Sequence, residues 1–403
     1  MTVEMKKYKL GELGEIRMCK RILKEETNAV SGIPFFKIGT FGNVADVFIT
    51  KKKFEEYKAK YSYPKKGDVL ISAAGTIGRT VVYNGEDAYF QDSNIVWIEN
   101  DESKVVNALL YYAYKNVKWK VSNGSTILRL YNDDLRRTEI FVPADISVQK
   151  KIASILSSLD KRIENLRAQN RVLEQTAKTI YDYTFLQCAG HKTTYNKTLN
   201  RNIPADWEVK KLGDCLASIS TGLNPRQNFT LGNGSIKYIT VKNLTLDGSI
   251  DYSGCDFIDE SARAKVHKRS NIKVGDILFA SISPLGRCHL IQEKPEDWDI
   301  NESVFSLSPA DLTARYYLYS FLRSQEFIAK AEQRATGSIF LGIRVDTLKK
   351  MEVLWPDSKT LGKFNTQIEP IFKKQLVNTK QIEALTTQRN TLLPLLMTGQ
   401  IEV

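Results

Sequence analysis

The sequence predicts an α+β chain: two mixed α/β globular domains in a pseudo-two-fold repeat, separated by two long antiparallel coiled-coil helices. Three observations lead there. Segments of the first half recur in order in the second half, short β-branched runs alternate with turn residues, and each repeat closes on a helical stretch with heptad spacing.

The repeat organises everything else. Lys66–Ser72 is echoed by Val274–Ala280, and Gly78 with Arg79 recurs as Gly286 with Arg287. Gly124 and Ser125 recur as Gly337 and Ser338, Leu135 as Leu348, Glu139 as Glu352 and Pro143 as Pro356. Leu10 and Gly11 pair with Leu212 and Gly213 near each start. The offset drifts only where loops absorb insertions. The domains read as 1–146, a first helix in 147–190, a linker and second domain in 191–357, and a second helix with a tail in 358–403.

Within the first repeat, Asp68–Ser72, Thr80–Tyr83 and Asn94–Ile98 read as strands, with turns at Asn84–Gly85 and Asn123–Gly124. Aromatic, helix-like stretches follow at Val105–Val117 and, in the second repeat, at Thr313–Ala331. The first long helix carries an unbroken seam of Ile152, Leu156, Leu159, Ile163, Leu166, Asn170, Leu173, Ala177 and Ile180, flanked by charges such as Lys161, Arg162 and Glu174. The second repeats the spacing as Phe364, Ile368, Ile371, Gln375, Asn378, Ile382, Leu385, Arg389 and Leu392. Gln375, Asn378 and Arg389 weaken it, Pro370 kinks the helix or marks its start, and Pro394 ends it.

Val148 to Tyr183 would form a helix roughly 54 Å long. Pairing it with its counterpart makes a spacer. Setting Asn170 against Asn378 puts Leu156 opposite Leu392, Ile163 opposite Leu385, Leu166 opposite Ile382 and Ile180 opposite Ile368. The two seam amides then bond each other instead of each losing its partner in an apolar seam.

Composition narrows the function. The chain has 403 residues, 42% of them hydrophobic, and a formal net charge of +12, which suits a polyanionic partner. Residues 147–202 alone carry 10 basic against 4 acidic groups. No apolar run approaches the roughly 20 residues of a membrane span, and no signal peptide is expected at the N-terminus. Five scattered cysteines and three scattered histidines argue against disulfides and metal sites and fit a reducing cytoplasm.

Catalytic motifs are missing as well. The chain has no phosphate-cradling glycine loop, no nucleophile elbow and no Asn-Pro-Pro-Tyr/Phe of amino-methyltransferases. Glu102 and Lys104 resemble the end of a nuclease triplet but lie in a turn, and the histidines occupy a linker, a basic run and an interior position. The chain reads as noncatalytic, with no metal of its own.

Loops that combine small residues, hydroxyls and arginine are the natural places to meet nucleic acid, since backbone N–H groups approach phosphate and arginine bonds guanine bidentately. The first repeat offers Ser72, Thr76 and Arg79 in one loop, Ser125, Thr126 and Arg129 in another, and Lys20 and Arg21 earlier. The second offers Ser281, Ser283 and Arg287, then Ser338 and Arg344, with Arg226, Lys242 and Asn243 earlier.

Two globular repeats, each closed by a long heptad helix, resemble the DNA-specificity subunit of type I restriction–modification enzymes. The likeness spans essentially the whole chain. It rests on the Gly-Asp strands at 67–71 and 275–279, the Gly-Ser loops, the segment Gln149–Ile163 and the closing Leu392–Ile401. The resemblance implies that each target-recognition domain reads one half of a bipartite, asymmetric site on double-stranded DNA. It implies helices that set the gap and dock two methylation subunits, with restriction and translocation subunits completing the complex. S-adenosylmethionine, ATP and Mg would then belong to those partners. Two rival readings are an autonomous DNA-binding regulator and a two-headed scaffold that touches no nucleic acid, the latter separable by the salt dependence of binding.

Overall fold

The computed structural model describes residues 3–119, 129–337 and 341–401. The chain divides into two compact units, Met1–Asn165 with Ile382–Val403, and Leu166–Gln381. Both long helices therefore contribute to both units.

The first unit contains β1 (Met5–Lys9), β2 (Gly14–Met18), β3 (Ile33–Phe36), β4 (Phe48–Ile49), α1 (Lys51–Lys60), β5 (Val69–Ser72), β6 (Thr80–Val82), β7 (Tyr89–Phe90) and β8 (Ile95–Asn100). It continues with α2 (Asn107–Asn116), α3 (Asn132–Arg137), β9 (Glu139–Pro143) and the start of α4 (Ile146–Tyr181). Its sheets have the orders β2-β8-β5-β6, β4-β3-β7 and β1-β9.

The second unit adds a hairpin of β10 (Thr193–Asn196) and β11 (Arg201–Pro204), then β12 (Glu208–Lys211), β13 (Leu216–Thr221), β14 (Ile236–Ile239), β15 (Asp256–Ile258) and α5 (Glu260–Ser270). There follow β16 (Ile277–Ala280), β17 (Cys288–Leu290), β18 (Trp298–Ile300), β19 (Val304–Pro309), α6 (Arg315–Leu322), α7 (Gln325–Arg334), α8 (Val345–Lys349), β20 (Glu352–Trp355) and α9 (Ser358–Met397). The sheets β13-β19-β16-β17, β15-β14-β18 and β12-β20 repeat the first unit's three. Helix caps repeat too: Thr50 accepts from the Lys53 amide at the start of α1, and Asp259 from the Ala262 amide at the start of α5. The duplication inferred from the sequence is therefore a duplication of topology.

The apolar strands are buried on both faces. In β5, Val69 and Ile71 enter one core and Leu70 the other. In β16, Ile277 and Phe279 face one core while Leu278 and Ala280 face the other. Each four-stranded sheet is thus a wall between two cores, which is why its strands read as continuous apolar runs.

Four expectations change. The first helix spans Ile146–Tyr181 and ends in a π-turn at Asp182–Leu186, not at Tyr183. The aromatic stretch Thr313–Ala331 breaks between α6 and α7 because the Ser324 side chain caps the Phe327 amide. Pro370 neither starts nor interrupts α9, whose cap is Asp357, accepting from the Thr360 amide at 3.0 Å. Pro394 does not end it either. Both prolines are exposed, so their missing donors fall on the solvent side, and the chain turns away only at Gly399, with φ +69°. The final turns of α9 also have a place the linear order does not suggest: Leu396 and Met397 lie in the core of the first unit.

Helix pairing follows the expected register within each unit. In the first, Leu156 and Leu392 share a core with Ile152, and the Arg389 Nη1 lies 2.7 Å from the Asp160 Oδ1. In the second, Ile180 and Ile368 share a core, and Asn378 donates to the Asn170 Oδ1 at 2.9 Å. Ile163 and Leu166 are buried, and Leu159, Leu173, Ile382 and Leu385 half-buried.

Candidate nucleic-acid interface

In the first unit the loop after β5 is held by its own polar atoms. The buried Ser72 hydroxyl donates to the Thr76 carbonyl at 2.5 Å and accepts from the Arg79 amide at 2.9 Å. Gly78 takes φ +83°, and a Cβ there would sit 2.3 Å from the Trp119 Nε1. Only glycine fits both the conformation and the space. The loop then meets the segment that follows 128: Leu130 donates its amide to the Ala73 carbonyl at 2.8 Å, and the Arg129 Nη2 reaches the Asn94 Oδ1 at 3.0 Å.

The second unit repeats this arrangement. Gly286 has φ +85°, and a Cβ would lie 2.4 Å from the Ile328 Cδ1. The Ser283 amide donates to the Leu341 carbonyl and the Ile343 amide to the Ser281 carbonyl, both at 2.8 Å. In each fold, then, the loop and the described residues beside it, Arg129 and Leu130 or Leu341 and Ile343, form one surface. Thr76 and Ser283 are exposed on it, and so is Arg344.

Several candidates turn inward. Arg79 donates through Nη1 to the Phe41 carbonyl at 2.9 Å, and Arg287 through Nη1 to the Val241 carbonyl at 3.2 Å. These two arginines clamp a neighbouring turn to the loop. Ser72 and Ser281 are buried, the latter donating to the Ser303 carbonyl at 2.8 Å. Asn243 is also corrected: it is 6% exposed, its Oδ1 accepts from the Thr240 amide and its Nδ2 donates to the Asp251 carbonyl. Its polar groups are consumed inside the fold. Ser125, Thr126 and Ser338 lie outside the described residues.

The remaining cations face outward. Lys20 is exposed, its Nζ 5.3 Å from the centre of the Tyr61 ring. Among the described residues, the side chains of Arg21, Arg226, Lys242 and Arg344 have no hydrogen-bond or ion-pair partner, so their charge is available to an anion. Arg287 brings the turn carrying Lys242 beside the loop. Arg226 stays on a separate turn, near where Lys265 bonds the Asn228 carbonyl.

The cysteines and His289 are tied into the interior. Burial pushes the Cys19 and Cys288 thiols up to about 12, far from a reactive thiolate. His289 is held by the Gly248 carbonyl at 2.9 Å, and burial lowers its pKa. Among the described residues no group of His, Cys, Asp or Glu could hold a metal ion, and no helix is long and apolar enough to cross a membrane.

Sequence reasoning missed Trp119 and Asn94, which shape the surface without belonging to a motif. It also passed over Tyr111 with Lys115 and Tyr319 with Arg323, which recur at the same offset as Gly78 and Gly286.

The scaffold is thus duplicated, and with it the partly basic loop junction, once in each unit. The chain belongs to the type I restriction modification DNA specificity domain family, whose model matches residues 2–175 and 204–391. A Haemophilus influenzae protein described as the putative type I restriction enzyme specificity subunit S.HindORF215P is 50% identical over 181 residues, 45% of this chain. The chain spans about half of that relative, 47% of its length. The type I restriction enzyme MjaIX specificity subunit of Methanocaldococcus jannaschii is 28% identical over 365 residues, covering 88% of this chain and 82% of that protein. The crystal structure of the type-I restriction-modification system S subunit from M. genitalium shares the fold with a TM-score of 0.60 at 18% identity, covering 98% and 96% of the two chains.

Proposed function

We propose that this chain is the DNA-reading subunit of a type I restriction–modification complex and performs no bond-making step itself. Each globular fold reads one half of a bipartite, asymmetric sequence through its joined loop surface, with Lys20, Arg21, Arg226, Lys242 and Arg344 meeting phosphates. The paired helices set the gap between half-sites and dock two methylation subunits. Those subunits supply S-adenosylmethionine, and restriction subunits supply ATP-driven translocation with Mg.

The observation that supports this reading most is the loop junction made twice. The Leu130-to-Ala73 and Ile343-to-Ser281 backbone bonds join equivalent segments in both folds. A single such surface would be an ordinary turn cluster, whereas two suit a target with two separate halves. The test is a chimera. Residues 1–146 are exchanged for those of a homologue, the chain is expressed with its methylation subunits, and modified sites are mapped across a genome. One half of the recognised sequence should change and the other should stay. Change in both halves would defeat the modular reading.

A further inference from the structure

We propose that a cation–carboxylate node locks each globular fold to α4, and that Arg323 with Glu174, and Lys115 with Asp160, are positioning residues restricting the enzyme to one gap between half-sites. This rests on the function proposed above.

In the second unit, the Arg323 side chain is only 14% exposed, and its Nη1 lies 2.6 Å from both the Tyr319 Oη and the Glu174 Oε1. Its Nη2 donates to the Leu246 carbonyl at 2.7 Å. The other oxygen of Glu174 faces the Gln375 Nε2 at 3.4 Å. One guanidinium and one carboxylate therefore join α6, the loop at Leu246, α4 and α9.

The first unit builds the same junction from other atoms. Lys115 occupies the repeat position of Arg323, and its Nζ lies 4.0 Å from the centre of the Tyr111 ring, as Arg323 lies over Tyr319 at 4.9 Å. The Lys115 Nζ is 4.0 Å from the Asp160 Oδ2, which also accepts from the Tyr112 hydroxyl at 2.9 Å. The Asp160 Oδ1 meets Arg389 at 2.7 Å. Again the helix that follows the four-stranded sheet is bound to α4 and α9 by one carboxylate. Both carboxylates come from α4, two heptads apart in sequence.

Glu174 and Arg389, which the sequence places on a solvated flank and a weakened seam, are thus the linking groups. Buried ion pairs add little net stability, because desolvation offsets their attraction. Their value is directional. Apolar ridges slide and repack with small losses, whereas a charge-assisted bond of fixed geometry holds one rotation of a helix against its neighbour.

The test uses the full chain assembled with methylation subunits and a DNA pool in which the two half-sites stand at every separation, read by sequencing the modified molecules. Glu174→Gln and Arg323→Met should raise modification at one base pair more or fewer by about fivefold relative to the native separation. Base preference within each half-site should stay as it was. Lys115→Met and Asp160→Asn should do the same. The ratio is internal to each reaction, so loss of folded protein does not move it. Tyr319→Phe, which removes one hydroxyl, gives a milder perturbation should Arg323→Met fail to fold. An unchanged ratio in variants that still modify DNA overturns the proposal, and so does altered base preference with the ratio intact. A wild-type complex with no bipartite preference would overturn the proposed function, and the node with it.

Discussion

The amide pair on the helix seam gives an asymmetric prediction. Asn378 is fully buried. Its Nδ2 makes one short bond, 2.9 Å to the Asn170 Oδ1, and a longer one of 3.4 Å to the Gln169 Oε1, while its own Oδ1 is buried without a partner. Asn170→Leu removes the short bond and leaves the Asn378 amide almost unsatisfied in an apolar seam, at about 1–3 kcal/mol. Asn378→Leu behaves differently. It loses the same bond but also removes the buried carbonyl that is already unpaired, and Asn170 is only half-buried, so its freed oxygen reaches water. That substitution should fall within about 1 kcal/mol of wild type. Replacing both should recover most of the loss of Asn170→Leu, a coupling opposite in sign to simple addition. Urea unfolding of the four proteins, compared through their midpoints, measures the cycle. The reasoning fails if Asn378→Leu is the more damaging single change, or if the double variant falls by the sum of the two.

Arg79→Ala and Arg287→Ala each remove a charged donor from a backbone carbonyl, so stability should fall by about 1.5–3 kcal/mol in thermal or urea melts. DNA modification should weaken evenly rather than lose preference at one base. Lys242→Ala and Arg344→Ala should leave folding unchanged and lower the salt slope of DNA binding by the assembled complex by about one each, as a titration with salt would show. Burial pushes the Asp68 carboxyl up, so its contribution to stability is full below the unfolded value of about 4 and lost as pH rises through the folded one. Asp68→Asn should flatten that slope in urea midpoints taken from about pH 4 to about pH 7.

What the sequence determined by itself was whatever repeats or alternates along the chain. The Gly-Asp turns before β5 and β16, the apolar strands they open, and the glycines of the Gly-Arg loops were legible because turn chemistry and periodicity are local. The heptad seams were legible too, and their register could be set from two residues, because an unpaired amide in an apolar seam is costly enough to choose its neighbour.

Only the tertiary structure decided which polar groups face outward. Arg79 and Arg287 look like reading residues in a line of text, yet each turns inward to donate to a carbonyl 38 or 46 positions earlier in the chain. Asn243 fills a turn interior, and Glu174 leaves its solvated flank for a buried guanidinium. The last turns of α9 complete the first unit's core, and both prolines lie within that helix. In each case the partner that settles the matter comes from a distant segment. A local pattern records what a side chain prefers, whereas burial and hydrogen bonding depend on what the fold brings beside it.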